Sequence, residues 1–282
     1  MTAELVLHPR TRTLFEKIQG AVPQALIIEG PSGVGVRVAA SYLARSMKSP
    51  ALVIEPKKSA AGKLVVDYQE GNIVIDDIRQ LYEQTRTKQS EPHVYILDTG
   101  ERSMTIAAQN AFLKLLEEPR PGLHFIIATH HFDQLLPTIA SRSQRLTLLP
   151  VTNEQSTAII DNLAVIDDIK RARLAFVGRG LPALITRLAV DEKTYDARVS
   201  IMSDAKTMIS GTAYEKAALA HKYKDNRAGS LTLLDDMNHQ LGVILQKNPN
   251  QSLVGTIATN LDVRQSILTG GNIRLQLLAG ML

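Results

Sequence analysis

The chain has 282 residues, 44% of them hydrophobic, with a formal charge of +4, enough for two or three compact domains with real cores. It has no cysteine, which excludes disulfides and thiolate zinc sites, and its histidines lack the H-E-x-x-H spacing of a metal helix, so no metal site is expected. No apolar run is long enough to span a membrane and residues 1–14 carry no apolar signal core, so a cytoplasmic, membrane-free protein is expected; with aromatics at only 4%, base stacking is not an expected mode of binding nucleic acid.

In chain order, the first expected helix covers 10–19. Ala25-Leu26-Ile27-Ile28 is a short apolar run of the kind that forms a buried parallel strand, 25–29. Gly30-Pro31-Ser32-Gly33-Val34-Gly35-Val36-Arg37 follows. The glycines Gly30 and Gly35 fit the phosphate-binding pattern G-x-x-x-x-G-K-S/T, but Val36 stands at the lysine and Arg37 at the magnesium-binding hydroxyl. A helix over 36–47 completes a strand–loop–helix unit whose backbone N–H groups form a nest for anions. Without the lysine and hydroxyl, hydrolysis should suffer more than binding. Arg37, one position late, is expected to project elsewhere and not to substitute.

Further strands are expected over 51–54, 94–98, 124–129 and 145–149, and helices over 76–88, 105–118 and 133–140. Residues 72–75 read as a further short strand, and the polar stretch 56–71 as a hairpin or loop. Strand–helix alternation argues for a mostly parallel sheet flanked by helices. Val94-Tyr95-Ile96-Leu97-Asp98 ends in a carboxylate placed to organise Mg²⁺ through water, but Thr99 stands where a catalytic base would come next. The adjacent pair His130-His131 reads as a loop without metal. Lys170-Arg171-Ala172-Arg173, the densest basic group, reads as a solvated helix face. After Pro150 the pattern is helical, over 153–163, 167–178 and 181–190. From 192 onward about five helices are expected, broken at Gly211, Asn226 to Gly229, Asn248-Pro249-Asn250 and Gly270-Gly271. The expected domains are an α/β domain (1–150), a small three-helix domain (151–190) and an all-α domain (191–282).

Ala107-Ala108-Gln109-Asn110-Ala111-Phe112-Leu113-Lys114-Leu115-Leu116-Glu117-Glu118-Pro119 resembles the AANALLKxLEEP segment of bacterial clamp-loader subunits in the AAA+ superfamily. Leu135-Leu136-Pro137-Thr138-Ile139-Ala140-Ser141-Arg142-Ser143-Gln144 resembles their LLPTIxSRCQ segment. His8-Pro9, the glycine loop, Val53-Ile54-Glu55-Pro56 and Ile75-Asp76-Asp77-Ile78-Arg79 fit in the same order. The likeness is specific over 8–150, weak over 151–190 and architectural beyond.

Within the family the altered loop points to the delta-prime branch of DNA polymerase III clamp loaders, whose members do not hydrolyse ATP. The family's four-cysteine zinc module is missing, so no zinc is implied. The resemblance makes Arg142 an arginine finger that acts in trans on a neighbouring subunit's ATP. A guanidinium suits that task because it is permanently charged and binds phosphate oxygens bidentately. Gly30, Gly33, Gly35, Asp98 and Thr129, the last at the first sensor position, are left as a reduced ATP or ADP site, weak or empty. Ala183 stands where the second sensor has arginine. In helix 106–118, Leu113 and Leu116 read as core. The implied partners are tau/gamma and delta subunits, the sliding clamp and primer–template DNA through the assembled complex, in a hetero-oligomer joined through residues 192–282. The rivals are an active ATPase subunit of tau/gamma type using Arg37, and a DNA-repair scaffold built on an inactive AAA+ module.

Overall fold

The computed structural model describes residues 5–60, 62–86, 93–118 and 120–280. The chain divides into two compact units, one ending at Val190 and the other beginning at Asp191. The first holds a five-stranded parallel sheet of β1 (Ala25–Glu29), β2 (Ala51–Ile54), β5 (His93–Asp98), β6 (Leu123–Thr129) and β7 (Gln144–Thr147), in the order β2-β5-β6-β1-β7. Side chains of a strand alternate between faces, and β1 shows the result. Leu26 and Ile28 join a core with Phe15, Ala39, Ala40 and Leu43 from α1 (Pro9–Gly20) and α2 (Val36–Ser46). Ile27 joins the opposite core with Ile78, Phe112 and Ile139, from α3 (Ile75–Gln84), α4 (Ile106–Glu117) and α5 (Pro137–Ala140). Leu113 and Leu116 also pack in that second core, as expected.

Three local expectations are corrected. The segment 133–140 is not one helix: a 3-10 turn at Phe132–Gln134 ends before α5 begins at Pro137. Pro137 disfavours helical backbone in the residue before it; Leu136 accordingly sits at φ −60, ψ 138, and the proline falls within the first turn of α5. Residues 72–75 make only an isolated bridge, Asn72 to Lys57, before α3 starts. Asp77 caps that start, accepting from Val74 N at 2.9 Å. The third is β7, which ends at Thr147. Residues 56–71 do contain a hairpin, antiparallel β3 (Lys57–Ala60) with β4 (Lys63–Val66). Of the expected helix 76–88, residues 87 and 88 lie outside the described residues, as does Pro119 of the motif.

Three helices, α6 (Asn153–Asn162), α7 (Asp168–Gly178) and α8 (Pro182–Val190), complete the first unit. Arg171 pairs with Asp161, so the basic group there is partly tied within the fold.

The second unit is helical: α9 (Glu192–Ser210), α10 (Ala213–Lys222), α11 (Arg227–Lys247), α12 (Gln251–Leu268) and α13 (Ile273–Ala279) among the described residues. Its helix starts carry side-chain caps, with Thr212, Asn226, Asn250 and Asn272 each accepting from a backbone N–H in the first turn. Inside it, Asp236, fully buried, receives a two-pronged ion pair from Arg198. No helix among the described residues is long and apolar enough to cross a membrane.

Candidate functional site

In an open parallel sheet, ligands bind outside the carboxyl ends of the strands. The register brings Glu29 level with Thr129 and Asp98 level with Ala128. Gly30, Gly33, Gly35, Asp98 and Thr129 therefore gather at the carboxyl end of the three central strands, as their sequence pattern requires. Gly33 at φ +87 and Gly35 at φ +102 hold left-handed backbone, which is costly for any residue with a Cβ, and Gly35 is the N-cap of α2. His130 Nδ1 lies 2.8 Å from Gly30 O and, facing a carbonyl, donates to it.

The positions that would carry phosphate chemistry hold other groups. Val36 is 2% exposed and belongs to the apolar core with Val34, Leu43 and Leu148. Helix α8 closes on the loop: Leu184 N donates to Gly33 O at 3.1 Å, and a Cβ at Gly33 would lie 2.8 Å from Leu184 Cβ. Ala183 Cβ would be 3.7 Å from a Cβ at Gly35, so an uncharged methyl faces the helix start. Thr99 is fully buried and gives its hydroxyl to Ala128 O at 3.3 Å; it has no basic atom to polarise water. Thr129, also fully buried, accepts from His131 N at 3.1 Å.

Arg37 turns towards the strand ends. Its Nη2 lies 3.0 Å from Glu55 Oε1, its Nε 3.6 Å from Asp98 Oδ2, and its Nη1 donates to the Tyr68 hydroxyl. Tyr68 in turn donates to Glu55. Burial, reinforced by that carboxylate, pushes the Tyr68 hydroxyl up to about 12. Burial also raises Asp98 above the usual carboxylate range, opposed by the Gly100 N–H and then by Arg37. Arg37 was expected to project elsewhere; its engagement with Asp98 was not foreseen.

A magnesium–nucleotide is tested by these residues and does not match them. Arginine has five donors and no acceptor, so it cannot ligate a metal as the family's hydroxyl does. Like unit charges about 4 Å apart repel by about 4 kcal/mol at an effective dielectric of 20, and a divalent ion beside a guanidinium would meet about twice that.

Arg142 stands apart from this cluster. It follows α5, its side chain is 38% exposed, and its Nη2 lies 2.9 Å from Glu117 Oε1 at the end of α4. Nη1 donates to Thr138 O at 3.1 Å. The segment that carries it is tied to α4 by Gln109, which is fully buried. Gln109 Nε2 donates to Met104 O at 3.1 Å and Gln134 O at 3.0 Å, and Oε1 accepts from Leu136 N at 2.7 Å. Sequence reasoning assigned no role to Gln109 or Tyr68, marked Glu117 as structural at the helix end, and held Glu55 only as part of the stretch 53–56. Gln109, Glu117 and Glu55 stood inside motif stretches; nothing in the spacing marks Glu55 and Tyr68 as partners of Arg37. Gln109→Ala strands these backbone groups and is expected to cost about 1–3 kcal/mol, read as a lower denaturant midpoint with unchanged slope.

The family model for "DNA polymerase III, delta subunit" matches residues 10–152. The gamma/tau subunit of Mycobacterium tuberculosis H37Rv is 30% identical over 183 residues, 58% of this chain and 32% of that protein. The delta' subunit of Haemophilus influenzae is 28% identical over 205 residues, 64% of this chain and 61% of that protein. The chain thus spans about a third of the first relative's length and about three fifths of the second's. Among solved structures, a gamma subunit-related protein from Thermotoga maritima aligns over 96% of this chain and 97% of its own with TM-score 0.53 at 21% identity, a likeness of fold. With the strand–loop–helix unit, the two motif segments and the family match in agreement, the chain belongs to the DNA polymerase III delta subunit family, within the AAA+ clamp loaders.

Proposed function

We propose that the chain is a non-hydrolysing, delta-prime-like subunit of a bacterial DNA polymerase III clamp loader. It takes part in a cytoplasmic hetero-oligomer with tau/gamma and delta subunits and, through the assembled complex, with the sliding clamp and primer–template DNA. Its own ATP chemistry is reduced, any ATP or ADP being weakly held, and Arg142 serves a neighbouring subunit's ATP. The observation that carries this reading is Val36: the position that needs a charged amine is filled by an aliphatic side chain embedded in the core.

Arg142 supports the second half. It is half-exposed and held by a surface carboxylate and one exposed backbone carbonyl, the ion pair being worth about 0–1 kcal/mol, so transfer to a more highly charged phosphate costs little. In the second unit, Val254, Leu261 and Leu268 of α12 repeat at seven-residue spacing and are 51%, 52% and 43% exposed. An apolar stripe of that period suits packing against another helix, in keeping with a role of residues 191–282 in assembly.

The test is reconstitution with tau/gamma and delta subunits, with ATPase measured on the isolated chain and on the complex. The isolated chain is expected to show no turnover above background, and the complex to require it for DNA-dependent hydrolysis. Robust turnover by the isolated chain would support the ATPase rival. Failure to join these subunits would support a scaffold elsewhere.

A further inference from the structure

We infer that Arg37 is a built-in counter-cation: its guanidinium stands in for the divalent metal between the start of α2 and the strand-end carboxylate Asp98, and it closes the glycine loop to metal-bound nucleotide. The inference rests on the non-hydrolysing reading of this site and narrows it to the metal position. Three groups converge on the one side chain from three segments: Glu55 after β2 and Tyr68 after β4, which accept hydrogen bonds from it, and the Asp98 carboxylate at the end of β5, an ion-pair partner at 3.6 Å. Asp98 is the group that would order a metal through water, and it is 4% exposed. A buried carboxylate needs a compensating charge. In an active site of this class the metal would supply it; here the chain supplies it from the residue at the hydroxyl position.

The surroundings are built around that arrangement. Tyr68 stacks near the guanidinium, whose carbon lies 5.1 Å from the ring centroid, and its backbone O accepts from Glu101 N at 2.7 Å. Glu101 in turn accepts from Ser32 of the glycine loop. The segment after β4 is thereby stitched to the loop on one side and to Arg37 on the other. Gly100 permits this closeness: it sits at φ +61, and a Cβ there would lie 2.5 Å from Tyr68 O. Two changes, not one, therefore separate this loop from an active one. Val36 takes the place of the phosphate-binding ammonium, and Arg37 occupies the metal's electrostatic position.

The experiment is a Mn²⁺ titration of the full chain without nucleotide, followed by electron paramagnetic resonance of the free ion. It compares the parent, Arg37→Thr, Arg37→Gln and Arg37→Thr with Asp98→Asn, each first checked for folding by circular dichroism. Arg37→Thr is expected to gain one Mn²⁺ site at least tenfold tighter than any in the parent, and Asp98→Asn to abolish the gain. Arg37→Gln keeps hydrogen bonds to Tyr68 and Glu55 without charge, and should gain binding even if the threonine variant folds poorly. A parent that already binds Mn²⁺ through Asp98, or folded variants that gain none, would overturn the inference. Neither result touches the hydrolysis reading, which depends on Val36 and is measured separately as ATPase.

Discussion

Arg142→Ala is expected to leave assembly of the reconstituted complex intact and to slow hydrolysis at the ATP site it serves on the order of 10³-fold, the lower end of what trans arginines contribute in well-studied phosphoryl transfers. Assembly should survive because the side chain's contacts are local: Glu117 at 2.9 Å and Thr138 O at 3.1 Å. Neither partner is left buried when the guanidinium goes, since Glu117 is 49% exposed. The catalytic loss should be large because a guanidinium placed on the transferring phosphoryl group acts in a site from which water is displaced, where charge stabilisation is strong. Arg142→Lys keeps the charge but loses the planar fork, and should recover only part of the rate. Single-turnover hydrolysis on the complex, with gel filtration to verify subunit content, reads both effects. An unchanged rate in a fully assembled complex would remove the finger from the account.

Phe112→Ala should be the most destabilising single change in the first unit, by about 3–5 kcal/mol. The ring is fully buried and meets Phe125 edge-on, with centroids 5.4 Å apart at an interplanar angle of 89°. Phe125 is itself stacked on Tyr95 at 5.8 Å, so the truncation opens a cavity against two strands of the sheet. For a unit of this size 1 kcal/mol shifts the melting temperature by about 2–4 °C, so a fall of roughly 10 °C is expected in a thermal scan. Because α4 also carries Gln109 and Glu117, the same variant should loosen the segment before Arg142 and depress the complex's ATPase at temperatures where the chain is still folded. A melt like the parent's would mean that α4 does not anchor on the sheet through this ring.

Much of the fold was legible because local pattern and tertiary environment agree. Ala25–Ile28 is apolar throughout since both faces of β1 are covered, and the helical breaks at Gly211 and Asn248 to Asn250 coincide with real helix ends. Reading failed where one residue overrode its neighbours. Pro137 split an otherwise helical pattern, and Ile73 and Val74 carry strand-forming side chains, but pairing goes no further than the single bridge of Asn72 with Lys57. The candidate site was legible in the same uneven way. Glycines at positive φ and an apolar strand ending in Asp98 are consequences of chain geometry, and short spacing encodes them. Which side chain answers Asp98 is a matter of three segments meeting, and residues 37, 55, 68 and 98 have no common period.

The amino-acid sequence by itself determined that a phosphate-loop frame is present without its lysine and hydroxyl, that the first half is a parallel α/β sheet, and that the family motifs surround Arg142. These follow from residue identity at fixed local spacing. Only the tertiary structure decided that Val36 is part of the core, that Gln109 ties α4 to the segment before Arg142, and that Arg37 turns to Asp98, Glu55 and Tyr68. The physical reason is that burial and ion pairing act through space. A charge placed one residue past its expected position is read along the chain as a misplaced lysine, while in the folded protein it lies where a buried carboxylate most needs a cation.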